Sequence, residues 1–327
     1  MILEGDVMDQ IDKEILMELQ YDFPLHARPY DDIANKVGIG LQDLLERINN
    51  LKKDGIIKRI GFYYNFRAQG NEAALIAFEA GENYKKLAEI AMKDPLVTHS
   101  YLRSHPIYNV WIVAKRASNE ELINLAERMT KESNSKSYVV LLSKRTYKLS
   151  VKYDIINGVS KAGKYALLPE HPPLLKDLGI DKDFPLSIRS IPINEKPYDF
   201  VLKKYDLKEE ELEYIIKKLL EKGVLADPGA ALDGEKLGFK ENGMVVMEPN
   251  GNEELICECA ASMSFSTHVV LRQSIPEGKW KHVSYAMVHA TEKKKIEDMA
   301  KTLKEKCNPR DLMIIYSLAD LKPGVVR

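Results

Sequence analysis

"THSYLR" at residues 98–103 and "THVVLR" at residues 267–272 share the pattern Thr-His-x-x-Leu-Arg, 169 positions apart in one chain. A match of this kind within a chain indicates an internal repeat, and a fold prediction that overlooks a repeat is wrong for the whole chain. The two strings are therefore the reference points for dividing the 327 residues into units.

The match extends on both sides of these strings. The offset between matched positions of the two copies is 161 and then 168 upstream of the strings, and 174 downstream of them. It grows because the second copy carries short insertions such as "PEGKW" at 276–280. The matched pairs are "DFPL" at 22–25 and 183–186, "RPYDD" at 28–32 and "KPYDF" at 196–200, Gly55 and Gly223, Gly70 and Gly238, and Ser143 and Ser317. The sequence thus predicts two copies of one unit.

Composition and charge narrow the function classes. Apolar residues make up 45% and charged residues 30% of the chain, which is typical of globular domains and leaves little room for disorder. The 48 basic and 49 acidic residues give a formal charge of −1, so no overall basic field attracts nucleic acid. "MILEGDVMDQ" lacks a signal-peptide pattern, and no apolar run reaches the ~18 residues of a membrane span. Three cysteines cannot all pair, and these features together predict a cytoplasmic protein.

Each copy has the same order of predicted elements. In copy one, Ile11, Ile15 and Leu19 recur at helical spacing, and two further helical segments precede the strand-like "IIKRIGFYY". This order is typical of a winged helix-turn-helix. The segments that follow alternate as βαββαβ, a ferredoxin-like order. The predicted fold class is therefore α+β, a tandem repeat of winged helix-turn-helix and ferredoxin-like βαββαβ modules that form a pseudo-dimer.

We divide the chain into five predicted segments. They are 1–65, a winged helix-turn-helix; 66–150, the first βαββαβ module; 151–180, a connector; 181–238, a degenerate winged helix-turn-helix; and 239–327, the second βαββαβ module. The second winged unit is interpreted as degenerate because its first helix, "HPPLLKDLG", is short and begins with prolines. "VLADPGA" at 224–230 also departs from the strand pattern of "IIKRIGF" in copy one.

The combined order resembles the Lrp/AsnC family of transcription regulators, and this resemblance implies DNA binding through the third helix of each winged unit. A recognition helix normally brings arginine and lysine to phosphates and base edges. The third helix of copy one, "LQDLLERINNLKKD", carries as many acidic as basic residues, and its counterpart "LKEEELEYIIKKLLEK" begins with three consecutive glutamates. These charges disfavour DNA binding.

Other strings resemble a more specific family, the siroheme decarboxylases, which are Lrp/AsnC relatives of alternative haem biosynthesis. They are "DFPLHARPYDDIANKVG", "VTHSYLR" and "YNVWIVA" in copy one, and "STHVVLRQ" and "HVSYAMVHA" in copy two. That family forms a heterodimer of two related subunits, so this chain resembles a fusion of the pair. The resemblance implies removal of CO2 from the ring acetates of siroheme to give 12,18-didecarboxysiroheme. It also implies siroheme as the partner, no nucleic-acid or membrane partner, and a pseudo-dimer that leaves further homo-oligomerisation open.

The chemistry implied by this resemblance sets what the protein must supply. Loss of CO2 from an acetate leaves an electron pair that the macrocycle can accept, so no cofactor beyond the iron-containing substrate is expected. The sequence agrees, since it has no Gly-x-Gly-x-x-Gly element, no phosphate loop and no metal-binding pattern of cysteine and histidine. The residues to look for are a proton donor, cations for a polycarboxylate, and aromatics for a flat ring.

The Thr-His strings supply such residues at strand spacing. Alternate residues of a strand share a face, so His99, Tyr101 and Arg103 point together in copy one, as do His268 and Arg272 in copy two. Arginine suits carboxylates because its planar group binds them in a bidentate manner. The alternatives are that each histidine is an ordinary strand residue and that each arginine forms an interface salt bridge.

The next strand carries a second matched set. Trp111 and Lys115 share a face in copy one, and Tyr285 and His289 share it in copy two. By the resemblance, His289 is the leading candidate for proton donor or iron ligand, with His268 and His99 as further catalytic candidates. We expect the substrate in an apolar slot between the copies, on the sheet faces turned away from the helices.

The remaining substrate-binding candidates lie outside these faces. His105 and Tyr108 fall in the hairpin of copy one, and loops often carry function. Arg28 and Lys148 are candidates for the propionates, with ordinary surface cations as the alternative. No metal site is predicted. Two other functions stay open: a transcription regulator that senses a small molecule or haem, and a haem-binding module without turnover.

Overall fold

The computed structural model of the chain describes residues 8–324. Residues 1–7 and 325–327, at the ends of the first and last predicted segments, lie outside the described residues, and so does most of "MILEGDVMDQ". Within the described part, no helix is both long and apolar enough to cross a membrane.

Copy one contains both modules in the expected order. Its elements are α1 (Gln10–Tyr21), α2 (Pro29–Val37), α3 (Leu41–Lys53), β1 (Ile57–Tyr64), β2 (Glu72–Phe78), α4 (Tyr84–Lys93), β3 (Val97–Arg103), β4 (Val110–Arg116), α5 (Asn119–Ser133) and β5 (Tyr138–Leu149). The connector then forms a small hairpin of β6 (Tyr153–Asp154) and β7 (Val159–Ser160).

Copy two repeats this order with a shortened beginning. Its first helix is reduced to a 3-10 turn at Leu175–Leu178. The elements that follow are α6 (Asp183–Ser187), α7 (Asp199–Tyr205), α8 (Glu209–Glu221), β8 (Leu225–Leu232), β9 (Glu241–Glu248), α9 (Glu253–Ser262), β10 (His268–Ile275), β11 (Ser284–Ala290), α10 (Lys293–Cys307) and β12 (Asp311–Asp320). The tandem α+β architecture expected from the sequence is confirmed.

The two βαββαβ modules join along both sheet edges. Strand β5 pairs antiparallel with β10, and β12 pairs antiparallel with β3. Because β10 also pairs with β11, eight strands close into a ring in the order β10, β5, β2, β4, β3, β12, β9 and β11. Helices α4 and α5 cover copy one of this barrel from outside, and α9 and α10 cover copy two.

The middle of the barrel is filled by side chains from both copies, which corrects the expected apolar slot. The members of this inner core are Leu75, Ala77, Tyr108, Trp111, Val139 and Leu141 of copy one, with Met244, Val246, Trp280, Tyr285 and Ile315 of copy two. Trp111 and Tyr285, expected to line the slot, are 1% and 2% exposed. Eight closed strands leave an interior that side chains can fill, so the middle of the barrel is a packed core and not an open slot.

The two winged units merge into a single body. Strands β1 and β8 pair with each other, with Gly61 opposite Gly229, and one hydrophobic core contains residues of both units. A side chain at Gly229 would place its Cβ 2.1 Å from the Leu19 carbonyl oxygen, so only glycine fits where α1 crosses the strand. The sequence signal for β8 is weak because Asp, Pro and Gly disfavour strands. Pairing with β1 outweighs that preference.

The predicted connector is part of both bodies. Its strand β7 pairs with β11 at Val159 and Ala290, and Tyr153 belongs to the core of the winged-helix body. Lys152 is 2% exposed and forms an ion pair of 3.1 Å with Asp227, a residue of β8. Buried charges and strand pairing are not features of a flexible linker. The connector therefore holds the barrel against the winged-helix body.

Two buried lysines join the copies at equivalent positions, 174 residues apart. Lys148 donates from Nζ to the carbonyl oxygen of Met263, at the C-terminus of α9, at 2.6 Å. Lys322 donates to the carbonyl oxygens of Ala91 and Asp94, at the C-terminus of α4, at 2.8 and 2.5 Å. Each lysine thus caps the first barrel helix of the other copy, where a positive charge also suits the helix dipole.

Lys322→Met should lower the free energy of unfolding by roughly 1–3 kcal/mol, because two carbonyl oxygens at the end of α4 lose a charged donor and keep only a backbone one. Urea unfolding of the purified protein measures this change. Lys294→Met is the matched control, since the Lys294 side chain is 76% exposed. Equal loss of stability in both variants would contradict the capping role.

The cysteines differ from the expectation of unpaired thiols in a reducing compartment. Cys259 of α9 and Cys307 of α10 form a disulfide. Cys257 is buried and donates from its thiol to the Ser284 hydroxyl at 3.1 Å, and burial raises the pKa of this thiol to about 12. The spacing of 48 residues did not reveal the bond, because it depends on α9 packing beside α10.

Candidate functional site

The two arginines of the Thr-His strings occupy equivalent buried positions. Arg272 donates from Nη1 to the Leu141 carbonyl oxygen at 3.2 Å, and Arg103 donates to the Ile315 carbonyl oxygen at 3.5 Å. Each guanidinium lies over an aromatic ring of its own copy, at 5.1 Å from Tyr285 and 5.0 Å from Tyr101. Each arginine therefore reaches across to the edge strand of the other copy, β5 for Arg272 and β12 for Arg103.

Arg272 carries a buried positive charge that no described carboxylate neutralises. The residue is 9% exposed, no ion pair joins it to any acidic side chain of residues 8–324, and its Nε atom is buried without a hydrogen-bond partner there. Burial lowers the pKa of the guanidinium to about 10, so the group stays charged at neutral pH. A buried cation without a carboxylate is costly, and an anionic ligand would relieve that cost.

Lys115 is a second cation held by aromatic rings. Its Nζ atom lies 3.5 Å from the Tyr63 hydroxyl, and 5.5 and 5.7 Å from the ring centroids of Tyr63 and Phe66. Both aromatics come from the wing of copy one or directly follow it. Within residues 8–324, Lys115 forms no ion pair with a carboxylate. The winged-helix body therefore contributes one wall around this ammonium group.

His268 connects the two cations electrostatically. Desolvation of its imidazole, followed by the charges of Arg272, Lys115 and His289, lowers the pKa of His268 to about 3. Asp227 opposes this shift only weakly. The ring is therefore neutral at physiological pH. We call His268, His289, Arg272 and Lys115 the cationic cluster. They lie on the inner face of β10, β11 and β4: His268, His289 and Lys115 toward the strand ends beside the winged-helix body, and Arg272 deeper in the barrel, over Tyr285.

His289 is fixed by the connector. Its backbone N–H donates to the Ser160 hydroxyl at 3.0 Å, and its ring centroid lies 5.7 Å from that of Tyr153 in an edge-on arrangement. On β11 it stands two residues beyond Met287, which pairs with His268. Two histidines expected from separate strings thus come together on neighbouring strands, as the repeat predicted.

His99 and Tyr101 lie on the inner face of copy one. His99 pairs with Val113, and its Nδ1 atom lies 2.8 Å from the Thr98 hydroxyl. The ring of Tyr101 lies 6.2 Å from that of His99 and beneath Arg103. These residues are the copy-one equivalents of part of the cluster. Copy one has Lys115 at the position where copy two has His289.

The hairpin candidates belong to an aromatic group that the sequence did not assemble. His105 lies 5.5 Å from Tyr108, 6.2 Å from Trp111 and 5.3 Å from Trp280, measured between ring centroids. Burial and the charge of His282 lower the pKa of His105. Tyr108 and Trp280 are inner-core residues. The group fills the barrel interior and shares the inner core with Tyr285, the ring beneath Arg272 of the cationic cluster.

Arg28 and Lys148 lie away from the cluster. Arg28 precedes α2 in the winged-helix body, and its Nε atom lies 4.0 Å from a carboxylate oxygen of Glu209. Lys148 faces outward from the barrel to cap α9, and burial lowers the pKa of its ammonium to about 8. The sequence shows that both residues are cations, but the direction in which each side chain points and the groups that it contacts depend on tertiary packing.

Sequence reasoning missed the residues that surround the cluster. Tyr63 and Phe66 were treated as parts of a wing, and Tyr153 and Ser160 as parts of a connector. One signal was present: Phe66 and Gly234 occupy equivalent positions 168 residues apart, so the second copy lacks an aromatic ring there. Within residues 8–324, no group of three or more His, Cys, Asp or Glu side chains is arranged to hold a metal ion.

Comparison with known proteins matches both modules. The family AsnC-like ligand binding domain matches residues 69–148 and 236–322, and the family siroheme decarboxylase NirDL-like HTH domain matches residues 12–58. Siroheme decarboxylase of Hydrogenobacter thermophilus is 28% identical over 96% of this chain and 93% of its own length. The siroheme decarboxylase alpha subunit of Oleidesulfovibrio alaskensis is 33% identical over 46% of this chain and 92% of its own length.

Solved structures agree in fold. The crystal structure of the siroheme decarboxylase NirDL matches with a TM-score of 0.63 and 25% identity, over 96% of this chain and 92% of that chain. The fold and the site together define a tandem AsnC-like ligand-binding protein whose two copies share one barrel. With relatives above 30% identity that it covers almost completely, the chain belongs to the siroheme decarboxylase family.

His268 should make stability depend on pH in the acid range. The pKa of its imidazole is about 3 in the folded protein against an ordinary value of 6.5, so between these values the unfolded chain binds the extra proton. The contribution of the neutral ring is complete above the ordinary value and is lost as pH falls toward the folded one. Urea midpoints of the wild type and His268→Gln, measured from about pH 7.5 to pH 5, should diverge on the acid side. Parallel curves would show that the ring is not desolvated.

Proposed function

We propose that this chain is a carboxy-lyase that removes CO2 from the ring acetates of siroheme and forms 12,18-didecarboxysiroheme. One observation carries the proposal: Arg272 and Lys115, two cations without carboxylate partners among residues 8–324, share the inner barrel face with His268. Desolvation, and after it the charges of these cations, keep His268 neutral. Such a site suits a polycarboxylate held beside groups that can exchange protons.

The family supports the same substrate class. NirDL, the solved siroheme decarboxylase, has also been crystallised in co-complex with an iron-uroporphyrin III analogue, and that structure matches this chain with a TM-score of 0.62 over 96% of its length. An iron porphyrin that carries carboxylates has the shape and charge that the cationic cluster would bind.

The reaction assigns roles to the residues. In each decarboxylation the bond between the carboxylate carbon and the methylene carbon breaks, CO2 leaves, and the electron pair stays on the methylene carbon in conjugation with the macrocycle. One proton then converts the methylene to a methyl group, so neither an oxidant nor a reductant is consumed. We propose His289 as the source of this proton, because an imidazole exchanges protons near physiological pH.

The cations orient the substrate. Arg272 and Lys115 would hold side-chain carboxylates that do not react, which places one acetate next to His289. His268 is neutral and can accept or donate a hydrogen bond without adding charge. We propose that no cofactor is required beyond the iron-containing substrate itself.

The winged-helix body is proposed to support the site without binding DNA. Arg47 of α3 is engaged with Asp9, Asp12 and Asp43, at 2.9, 3.0 and 3.2 Å, so its charge is neutralised within the protein. Helix α8 begins with three glutamates, which repel a phosphate backbone. We also propose a cytoplasmic location, although a disulfide such as Cys259–Cys307 is uncommon in a reducing compartment.

Anaerobic incubation of the purified chain with siroheme should yield a tetrapyrrole that has lost two CO2 groups, as measured by mass spectrometry. His289→Ala should lower the rate by roughly 100-fold or more, since general acid catalysis contributes about that factor. Unchanged siroheme together with a shifted visible spectrum would instead indicate a tetrapyrrole sensor. Tight, salt-sensitive DNA binding in the same preparation would favour a regulator.

Arg272→Gln should raise the KM for siroheme by roughly 10- to 100-fold, because a hydrogen bond to a charged group contributes about 1.5–3 kcal/mol. Steady-state kinetics measure the change. Arg28→Gln makes the same substitution outside the cluster and should leave KM within about twofold of the wild type. A similar KM for both variants would contradict the assignment of Arg272.

A further inference from the structure

The connector runs directly beside His289. Strand β7 pairs with β11 at Ala290, the residue after His289, whereas the pairing of β10 with β11 ends at Met287. Ser160 is 1% exposed; its hydroxyl accepts from the His289 backbone N–H at 3.0 Å and donates to the Phe265 carbonyl oxygen at 2.7 Å. The backbone at His289 is therefore held by the connector beyond the point where its neighbouring strand β10 stops.

The side chain of His289 depends on the connector as well, and the repeat shows why. Phe66 of copy one packs against Lys115, the residue that is equivalent to His289. The position equivalent to Phe66 in copy two is Gly234, which has no side chain to offer.

Backbone hydrogen bonds prove this equivalence. The Phe66 carbonyl oxygen accepts from Gln69 and Asn71, at 3.1 and 3.0 Å. In copy two, the Gly234 carbonyl oxygen accepts from Leu237 and Phe239, at 3.2 and 2.8 Å. The two turns thus share their backbone hydrogen bonds, and Gly234 leaves open the space that a ring at this position would fill.

Tyr153 of the connector supplies a ring at this place. A Cβ added to Gly234 would lie 2.7 Å from the Tyr153 ring, so the tyrosine occupies the space left by the glycine. Its ring centroid lies 4.7 Å from that of Phe239 and 5.7 Å from that of His289. In copy two, a ring from the connector therefore takes the role that Phe66 has in copy one.

The backbone of Tyr153 is itself locked. Its N–H donates to the Gln20 side-chain oxygen at 2.8 Å, and its carbonyl oxygen accepts from the Gln20 side-chain nitrogen at 3.1 Å. Gln20 is 1% exposed, and its amide also donates to the Leu16 carbonyl oxygen at 3.2 Å within α1. The ring that packs on His289 is thus anchored through α1 to the winged-helix body.

We propose that Tyr153 and Ser160 are positioning residues for His289, so that the connector between the two copies is a working part of the active site. The proposal rests on the proposed function, in which His289 delivers the proton. Ser160 fixes the backbone and Tyr153 fixes the imidazole plane, and a displacement of about 1 Å at a reacting group costs on the order of 100-fold in rate. Neither residue touches the substrate in this assignment.

Steady-state decarboxylation by Tyr153→Leu, Tyr153→Phe and Ser160→Ala tests the proposal. Tyr153→Leu should lower kcat by roughly 10- to 100-fold with KM within about twofold, because binding cations stay in place while the donor loses its orientation. Tyr153→Phe keeps the ring and should retain most of kcat. Gly234→Ala keeps the tyrosine but displaces its ring, and should behave like Tyr153→Leu.

Tyr165→Leu is the matched control. Tyr165 is a second connector tyrosine, which packs against the core of the winged-helix body. It should lose stability without a selective fall in kcat. A folded Tyr153→Leu protein whose kcat stays within about twofold of the wild type would overturn the proposal.

A further readout keeps the test decisive if Tyr153→Leu does not fold. Ser160→Ala removes a single hydroxyl, and an unchanged kcat in that variant would then overturn the positioning role. The imidazole resonances of His289 in the substrate-free protein should also shift in Gly234→Ala more than in Tyr165→Leu or Tyr153→Phe. A wild type without turnover would refute the proposed function, while these resonances would still report whether the connector positions His289.

Discussion

The pairing of β5 with β10 and of β12 with β3 is the constraint on which the rest of the molecule depends. It joins two βαββαβ sheets along both edges, so that neither copy keeps an exposed strand edge there. Closure also places the polar ends of β10, β11 and β4 beside the winged-helix body. Without it, Arg272 could not reach the Leu141 carbonyl oxygen, and Lys148 and Lys322 could not cap helices of the opposite copy.

In the cationic cluster, the features that suit binding of an anion lower the stability of the folded protein. Arg272, Lys115 and His268 lie close together in a desolvated place, where like charges repel and hydration is lost. The fold tolerates them through aromatic faces: Tyr285 beneath Arg272, and Tyr63 and Phe66 around Lys115. These contacts leave the cations able to bind a carboxylate, which a salt bridge within the protein would prevent. The arrangement favours binding of an anion over maximal stability of the empty site.

The two copies have diverged around a common frame. Equivalent positions carry Lys115 and His289, Arg59 and Asp227, and Phe66 and Gly234. The first copy thus supplies Lys115 and its aromatic wall, and the second supplies both histidines of the cluster together with Arg272. The winged units also share a common frame. Their strands β1 and β8 pair with each other, and the body that they form lies against the barrel. The AsnC-like frame that both copies share surrounds the cationic cluster.

The sequence by itself determined the repeat, the order of elements and the matched histidine and arginine of the two Thr-His strings, because local periodicity and self-similarity are written along the chain. It also placed His268 and His289 on the same face of two neighbouring strands, because every second residue of a strand points to one face of the sheet. Trp111, Tyr285 and His105 were correctly placed on their elements, but their surroundings were not predictable. Whether an inward face is an open slot or a filled core depends on barrel closure, and the partner of a lysine depends on which helix end lies beside it.

Only the tertiary structure decided that Tyr63, Tyr153 and Ser160 surround the cluster and that Cys259 meets Cys307. These contacts join residues that are far apart in the chain, and no local pattern distinguishes a tyrosine in a linker from one that packs on a histidine of the barrel. Their positions follow from how the connector crosses β11 and the winged-helix body, which is a property of packing between elements and not of any single segment.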